Sequence, residues 1–251
     1  MENPIRFVTP VYNAREFIGD CINSTKSQDN SNFTHYILDD ASTDGTWDII
    51  KEMTEGDSRY VAVRNETKMC TLYNHIKLML EFEWDLQDVV AHLDGDDMLA
   101  HDGVVSYLHD VYDRTGCWVT YGDWEPFPKD YTPVIDNVSD KSCNRPMQEG
   151  VNFRQDAWEW SHLRTFKRFL FDRIPYENFL DERGVLYTAA PDIALFLPVL
   201  EMAGRERIHF CDDILHLYRQ HPDNEHQSMA KLTDQVRCAI HYKAKPPFDT
   251  L

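Results

Sequence analysis

The sequence predicts an α/β fold built on a doubly wound, mostly parallel central sheet, and three observations predict it. From Ile5 to Tyr121, short apolar runs alternate with segments whose apolar residues recur at helical spacing. The run Val89-Val90-Ala91-His92-Leu93 lacks the polar alternation of a half-exposed strand, so it reads as a strand covered on both faces, the kind found in parallel sheets. Acidic residues follow the runs: Asp39-Asp40 after the second, and Asp94-Gly95-Asp96-Asp97 after the fourth. The carboxyl ends of parallel strands are where open sheets bind ligands.

Taken in order, Ile5 to Thr9 is a first strand stopped by Pro10, and Ala14 to Ser27 is a helix carrying Phe17, Ile18, Cys21 and Ile22. Phe33 to Leu38 is the second strand. Ser42 or Thr43 is placed to cap the helix bearing Trp47, Ile49, Ile50 and Met53. Tyr60 to Val63 is the third strand, and a helix over Thr71 to Glu81 presents Leu72, Ile76, Leu78 and Met79. The acidic strand comes fourth, then a helix over His101 to Tyr112 and a fifth strand over Cys117 to Tyr121. The turn after the first strand, Pro10 to Glu16, contains no glycine-rich cradle, which excludes a dinucleotide fingerprint and a P-loop there. A nucleotide bound at this edge needs another counter-charge, and a divalent cation on Asp94, Asp96 or Asp97 supplies one.

Beyond Gly122 the pattern changes. Asp123 to Pro146 is rich in Pro, Asp, Lys and Asn and reads as a long loop or flap. Phe153 to Phe171 mixes aromatic and basic residues, either as a helix packing rings on the sheet or as a stacking surface with Trp158 or Trp160 exposed and His162 beside them. In Asp181 to Leu200, Pro191 suits a helix start with Asp192 just inside it, ahead of an apolar helix. His209 to His221 closes the pattern with a strand, and residues 222–251 read as a short helix and tail that cover the domain or meet a partner, including a second copy.

Composition bounds the function. The chain has 251 residues, 42% of them hydrophobic and 27% charged, which is an ordinary globular composition. A formal charge of -18 opposes non-specific binding to nucleic acid or anionic membrane. No run of about 18 apolar residues occurs and the N-terminus lacks a signal-peptide pattern. Six widely spaced cysteines without a CxxC pair fit reduced thiols and a cytoplasmic location.

Four pieces, each at a strand end, then form one pattern: Thr9 to Asn13, Asp39 to Thr46, Asn65 with Lys68 to Asn74, and Leu93 to Asp97. Together they resemble the inverting glycosyltransferases of family 2, which have the nucleotide-sugar-binding GT-A fold, closely over residues 4–122 and more loosely to 221. The resemblance implies a nucleotide-sugar-binding half over 1–122 and an acceptor-binding and catalytic half over 123–221. It implies that Pro10, Val11, Tyr12 and Asn13 line the nucleotide pocket. Asp39 would receive the base through a ring N–H, which favours uracil, with Asp40 shaping the floor. Arg64, Asn65 or Lys68 would approach ribose or diphosphate, with Asn74 nearby and Arg219 neutralising phosphate. In the DxD motif Asp96 would be the principal ligand of Mn²⁺ or Mg²⁺, with Asp94 in its outer shell, Gly95 between them and Asp97 able to exchange roles; His221 would complete the ion's shell. Asp192 would be the catalytic base, with Asp181 and Glu182 as runners-up, and Trp158, Trp160 and His162 would meet the acceptor.

The implied reaction moves a hexose-type sugar from a nucleotide donor, UDP by preference, to a hydroxyl of a saccharide or other acceptor. Two departures stand out: Glu66 to Tyr73 does not follow the family's usual pattern, and Pro191-Asp192 replaces its Glu-Asp pair. Asp44, Asn13 and Asn74 have structural readings of equal weight, as turn formers or backbone-bonding amides. A metal-dependent nucleotidyltransferase and a non-catalytic saccharide- or nucleotide-binding module are the alternatives from other classes.

Overall fold

The computed structural model describes residues 3–130, 147, 149–156, 158–221 and 229–251. Strands β1 (Ile5–Val11), β2 (Phe33–Asp39), β3 (Tyr60–Arg64) and β4 (Val89–His92) are separated by helices α1 (Ile18–Lys26), α2 (Thr46–Thr54) and α3 (Thr71–Glu81). All four strands pair in parallel, in the order β3-β2-β1-β4. After them come β5 (Met98–Leu99), α4 (Val104–Thr115), β6 (Val119–Gly122), β7 (Trp124–Phe127), β8 (Ser161–Lys167), α5 (Arg168–Phe171), α6 (Pro191–Ala203), β9 (Ile208–Phe210), β10 (His216–Arg219) and α7 (Met229–Lys243). Among the described residues the central sheet has seven strands, β3-β2-β1-β4-β8-β6-β9, and β5-β10-β7 form a second, small sheet.

The central sheet is covered on both faces, as the β4 run predicts. Ile5, Phe7, Val89 and Ala91 pack under Ile18, Ile22, Val104 and Leu108 of α1 and α4. Val8, Leu38, Val90 and Phe166 pack under Leu72, Ile76, Phe196 and Leu200 of α3 and α6. Successive residues of one strand thus serve opposite cores.

Three expectations are corrected. β1 does not stop at Pro10 but runs to Val11. The Val8 carbonyl accepts from Leu93 N–H of the β4 side and the Val11 carbonyl from Asp40 N–H of the β2 side, so Pro10 faces the β4 side, where pairing has already ended at His92. Its missing N–H therefore costs no ladder bond. Second, the aromatic and basic segment contains a strand, β8, inserted antiparallel between β4 and β6. Its polar residues hide the apolar signature of a buried strand because they are satisfied by side chains: Thr165 Oγ1 lies 2.5 Å from Thr120 Oγ1 and 2.7 Å from Tyr112 Oη. Third, the loop after Gly122 opens with β7, which pairs with β10; residues 131–146 lie outside the described residues. Cys143 is among them, and Cys21, Cys70, Cys117, Cys211 and Cys238 are free thiols. No described helix is long and apolar enough to cross a membrane.

A buried polar string fixes the carboxyl ends of the strands. Thr9 Oγ1 donates to the Leu93 carbonyl at 2.6 Å and so accepts from His35 Nε2 at 2.8 Å. That places the imidazole proton on Nε2, and Nδ1 lies 3.0 Å from Thr25 Oγ1, whose single proton is shared between the imidazole and the Ile22 carbonyl at 2.9 Å and which has Tyr60 Oη at 2.9 Å. These contacts tie β3, α1, β2, β1 and the end of β4 together. Burial holds His35 neutral, its pKa lowered to about 3.

The far end of α6 is anchored by a buried ion pair. Arg154 donates through Nη2 to Glu201 Oε2 at 2.8 Å and through Nη1 to the carbonyls of Tyr242 and Lys245, while Glu201 also accepts from Phe248 N–H. The two side chains are 9% and 5% exposed. Removing one partner leaves the other charge buried and uncompensated, so Arg154→Met or Glu201→Gln is expected to cost about 3–5 kcal/mol, read as a lower denaturation midpoint. Asp110→Asn, breaking a pair whose side chains are 62% and 66% exposed, is the control and shifts stability by less than about 1 kcal/mol.

Candidate active site

The turn Asp94 to Asp97 leaves β4 at the carboxyl edge of the sheet, and its charges are not treated alike. Asp97 is buried: Oδ1 accepts from Arg219 N–H at 2.7 Å and Oδ2 lies 2.8 Å from His216 Nε2. Burial, then the charge of Asp96, raises its pKa well above the usual carboxylate range. Asp94 is half-buried and is pushed up to about 7 by burial and then by Asp97 and Asp96, with Arg164 and His216 opposing. Asp96 keeps a side chain 32% exposed, with Oδ2 3.1 Å from His221 Nε2. The Arg219 guanidinium does not point to an open phosphate site. It donates to the Asp96 carbonyl at 2.8 Å and to Asp20 Oδ2 at 2.7 Å, between the rings of Phe17 and Phe127, so it clamps the acidic turn. Gly95 backs onto β1: a Cβ there would lie 2.7 Å from Val11 Cγ2.

The neighbouring strand ends hold the other predicted residues. Asp39 is fully buried; Oδ2 pairs with Arg64 Nε at 3.0 Å and accepts from Ser42 N–H, while buried Oδ1 has no hydrogen-bond partner among the described residues. Asp40 accepts from Asn65 Nδ2 at 2.7 Å and from Met69 N–H at 2.9 Å, and Asn65 Nδ2 also reaches Asn74 Oδ1 at 2.8 Å. Asp40 and Asn74 therefore brace the loop before α3 from inside. Asn13, at φ 50°, accepts from Thr43 N–H through Oδ1, and its own N–H bonds Ser42 Oγ. Ser42 thus does not cap α2; Asp44 does that work, accepting from Thr46 N–H at 3.0 Å and from Arg15 N–H at 3.1 Å. Tyr12 is exposed, with Lys68 Nζ 3.4 Å from its ring centroid.

Asp192 opens α6 behind Pro191 and Ala190, the latter at φ 52°. Its Oδ2 accepts from Arg164 Nη1 at 3.3 Å, and Arg164 Nη2 lies 2.9 Å from His162 Nε2. His162 stacks on His216 at 4.5 Å between centroids, and His216 bonds Asp97, so a continuous polar path joins Asp192 to the acidic turn. The runner-up Asp181 is occupied by Arg183 and by the N–H groups of Arg183 and Val185, and Glu182 pairs with Arg237. Neither tryptophan presents an exposed ring. Trp160 is buried, and half-buried Trp158 packs edge-on against Trp160 and Phe196 of α6, because β8 turns this segment into the core. The sequence reading missed His216 and Arg164; each lies on a short strand, β10 or β8, whose other residues are partly polar too, and its partner lies far off in the chain.

Two groups of residues have the chemistry to hold a cation. Asp97, His162 and His216 lie with ligand atoms within 4.8 Å of one another. Their rings are tilted by only 21°, however, so the in-plane lone pairs run side by side, and both Asp97 oxygens are already engaged. Asp96 and His221 fit better. Their 3.1 Å separation is what two adjacent ligands at ~2.1–2.2 Å from one ion would show, and the imidazole is steadied by Phe17 at 4.6 Å.

Two outcomes follow from this geometry. Gly95→Ala drives a methyl into β-branched Val11 and is expected to cost about 1–3 kcal/mol in denaturant, with Gly95→Ala/Val11→Ala recovering most of it. The second concerns pH. Burial lowers the pKa of His35 and His75 to about 3 and of His216 to about 4, and of His92 and His162 well below normal. Their folded values lie below the unfolded value of about 6.5, so each contributes stability present above that pH and lost as pH falls. Raised Asp94 and Asp97 act in the opposite sense, but five imidazoles outnumber two carboxyls. In metal-free buffer the denaturation midpoint should fall from about pH 6.5 to about pH 5, each imidazole contributing up to about 1.4 kcal/mol per pH unit; an unchanged midpoint across that window contradicts the burial of neutral histidines.

With the geometry in view, the chain can be set beside known proteins. It is 30% identical over 130 residues to TuaG of Bacillus subtilis (strain 168), a protein named for glycosyl transfer in teichuronic acid biosynthesis, and the match covers 52% of this chain and 50% of that one. The chain therefore spans about half the length of that relative. Its fold matches TarS residues 1–349 of S. aureus, solved with UDP, at TM-score 0.66 and 14% identity, over 94% of this chain and 64% of that one. Glucosyl-3-phosphoglycerate synthase from Mycobacterium tuberculosis, solved with Mn²⁺, UDP and glucosyl-3-phosphoglycerate, matches at TM-score 0.64 and 16% identity, over 97% of this chain and 81% of that one. These likenesses fit the central sheet and the GT-A architecture expected from the acidic strand ends. The model of glycosyl transferase family 2 matches residues 7–175, which include most of β1, the acidic turn and β8, and the chain belongs to that family.

Proposed function

We propose that this chain is an inverting, metal-dependent glycosyltransferase that moves a hexose-type sugar from UDP to a hydroxyl of a saccharide or other acceptor. The observation that carries the reading is the Asp96–His221 pair, a carboxylate and an imidazole at ligand spacing on the strand edge that also holds Asp39. In this reading Asp39 Oδ1, buried and without a partner among the described residues, accepts the ring N–H of the base, and Arg64 keeps the carboxylate oriented through Oδ2. Val11, with Pro10 and Tyr12, forms the wall against which the nucleotide lies, and Lys68, over the Tyr12 ring, brings a positive charge to that wall. Asp96 and His221 would hold Mn²⁺ or Mg²⁺, with half-buried Asp94 on the same turn. The ion, when bound, supplies the counter-charge for the departing diphosphate.

Asp192 removes the proton of the acceptor hydroxyl; the freed oxygen bonds the anomeric carbon as the bond from that carbon to the phosphate oxygen breaks, and the diphosphate leaves with the electron pair. One displacement inverts the configuration. Buried Trp160 and half-buried Trp158 pack toward α6, which bears Asp192, rather than stacking on the acceptor.

The test is turnover of UDP-hexoses with and without Mn²⁺. The expected result is UDP release that chelation abolishes, with Asp192→Asn lowering transfer by about 10²–10⁴-fold while leaving UDP affinity within about threefold. Asp39→Ala should weaken UDP binding far more than binding of the diphosphate alone. If no nucleotide sugar is bound or turned over and chelation changes nothing, the reading is wrong.

A further inference from the structure

We infer that Arg164 is a positioning residue for the reaction: its buried guanidinium, fixed between His162 and Asp192, sets the orientation of the Asp192 carboxylate. The inference rests on the reading of Asp192 as the base. Arg164 sits on β8 on the face it shares with Phe166, beneath α6, with a side chain only 8% exposed. Asp192 is 32% exposed, and among the described residues no other group hydrogen-bonds to it. A guanidinium carries donors only, so His162 Nε2 accepts from Arg164 Nη2 at 2.9 Å; the imidazole proton then lies on Nδ1, facing Ser161 Oγ at 3.3 Å. The planar fork is therefore held on one side by a histidine that is itself stacked on His216, and it presents Nη1 to a single oxygen of Asp192. The other oxygen is left for an acceptor hydroxyl. An acid at the start of a helix, behind a residue at φ 52°, has no other side chain to choose its rotamer.

The alternative is a structural ion pair that happens to include Asp192, and a double-mutant cycle separates the two. Arg164→Met is expected to lower kcat about 10- to 100-fold with the KM for the donor unchanged within about threefold, because a neutral side chain no longer orients the base. Arg164→Lys, which retains the charge but not the fork, should fall between, and free guanidinium should restore part of the activity of Arg164→Met. In the Asp192→Asn background, adding Arg164→Met should cost nothing further, since the residue acts through Asp192. Additive losses, or a loss confined to the donor KM, overturn the inference. Wild-type turnover by Asp192→Asn overturns instead the assignment of the base, a distinct result. Should Arg164→Met fail to retain UDP affinity or a native denaturation profile, the Arg164→Lys cycle with Asp192→Asn carries the same comparison with the buried charge in place.

Discussion

Everything at the carboxyl edge depends on one electrostatic problem: three carboxylates in four residues at the end of a strand buried on both faces. Like charges this close cannot all stay ionised in a low dielectric without compensation. The fold resolves the problem by giving each acid a different environment. Asp97 is withdrawn into the interior and bonded to His216 and to Arg219 N–H, and Asp94 is half-buried with its pKa near 7. Asp96 keeps a side chain 32% exposed, with a ring-nitrogen partner in His221. The partners all come from the segment 216–221, so the acidic turn is organised by a strand more than 100 residues away in the chain. The small sheet β5-β10-β7 brings that strand alongside, pairing Met98 with Leu217 and Leu99 with His216.

This separation explains what was legible in the sequence. The strand ends, α3 over Thr71–Glu81, the Asp39-Asp40 pair at the end of β2 and the Pro191 start of α6 all rest on local patterns and could be read from periodicity or turn chemistry. Arg219 looked like a phosphate ligand because only its type and its place after a closing strand were visible. Its clamp on the Asp96 carbonyl and on Asp20 is a tertiary contact that no spacing rule encodes. The same holds for β8. SHLRTFK fails the test of alternation because Arg164 and Thr165 are buried polar residues matched by partners from α6, β6 and α4. Trp158 and Trp160, read as a stacking surface, are core residues for the same reason: once a strand starts at Ser161, the chain before it packs against α6.

Strain is concentrated where the chain must bend into the site. The three non-glycine residues with positive φ among the described residues are Asn13, Ala41 and Ala190, and each lies on a turn leading to a candidate site residue. Asn13 is compensated by its bonds to Thr43 and Ser42. Ala41 and Ala190 have no such side-chain compensation and are held by what flanks them: buried Asp40 and Ser42 in one case, the Pro191 helix start in the other. Local conformations that cost energy persist only where the surroundings over-determine them.

The polar path from Asp192 through Arg164, His162 and His216 to Asp97 adds a constraint of its own. Asp192, the proposed base, lies on α6 and the acidic turn follows β4, elements almost 100 residues apart, and the proposed displacement would require the two to keep a fixed relation. β8 is the structural means. It lies between β4 and β6 in the sheet, its Arg164 reaches up to α6, and its His162 reaches across to His216. Burial keeps both imidazoles neutral, so the path carries hydrogen bonds and ring contact without adding charges that would compete with Arg164 for the carboxylates. A single antiparallel strand inserted into a parallel sheet thereby couples the acidic turn after β4 to the helix that bears Asp192.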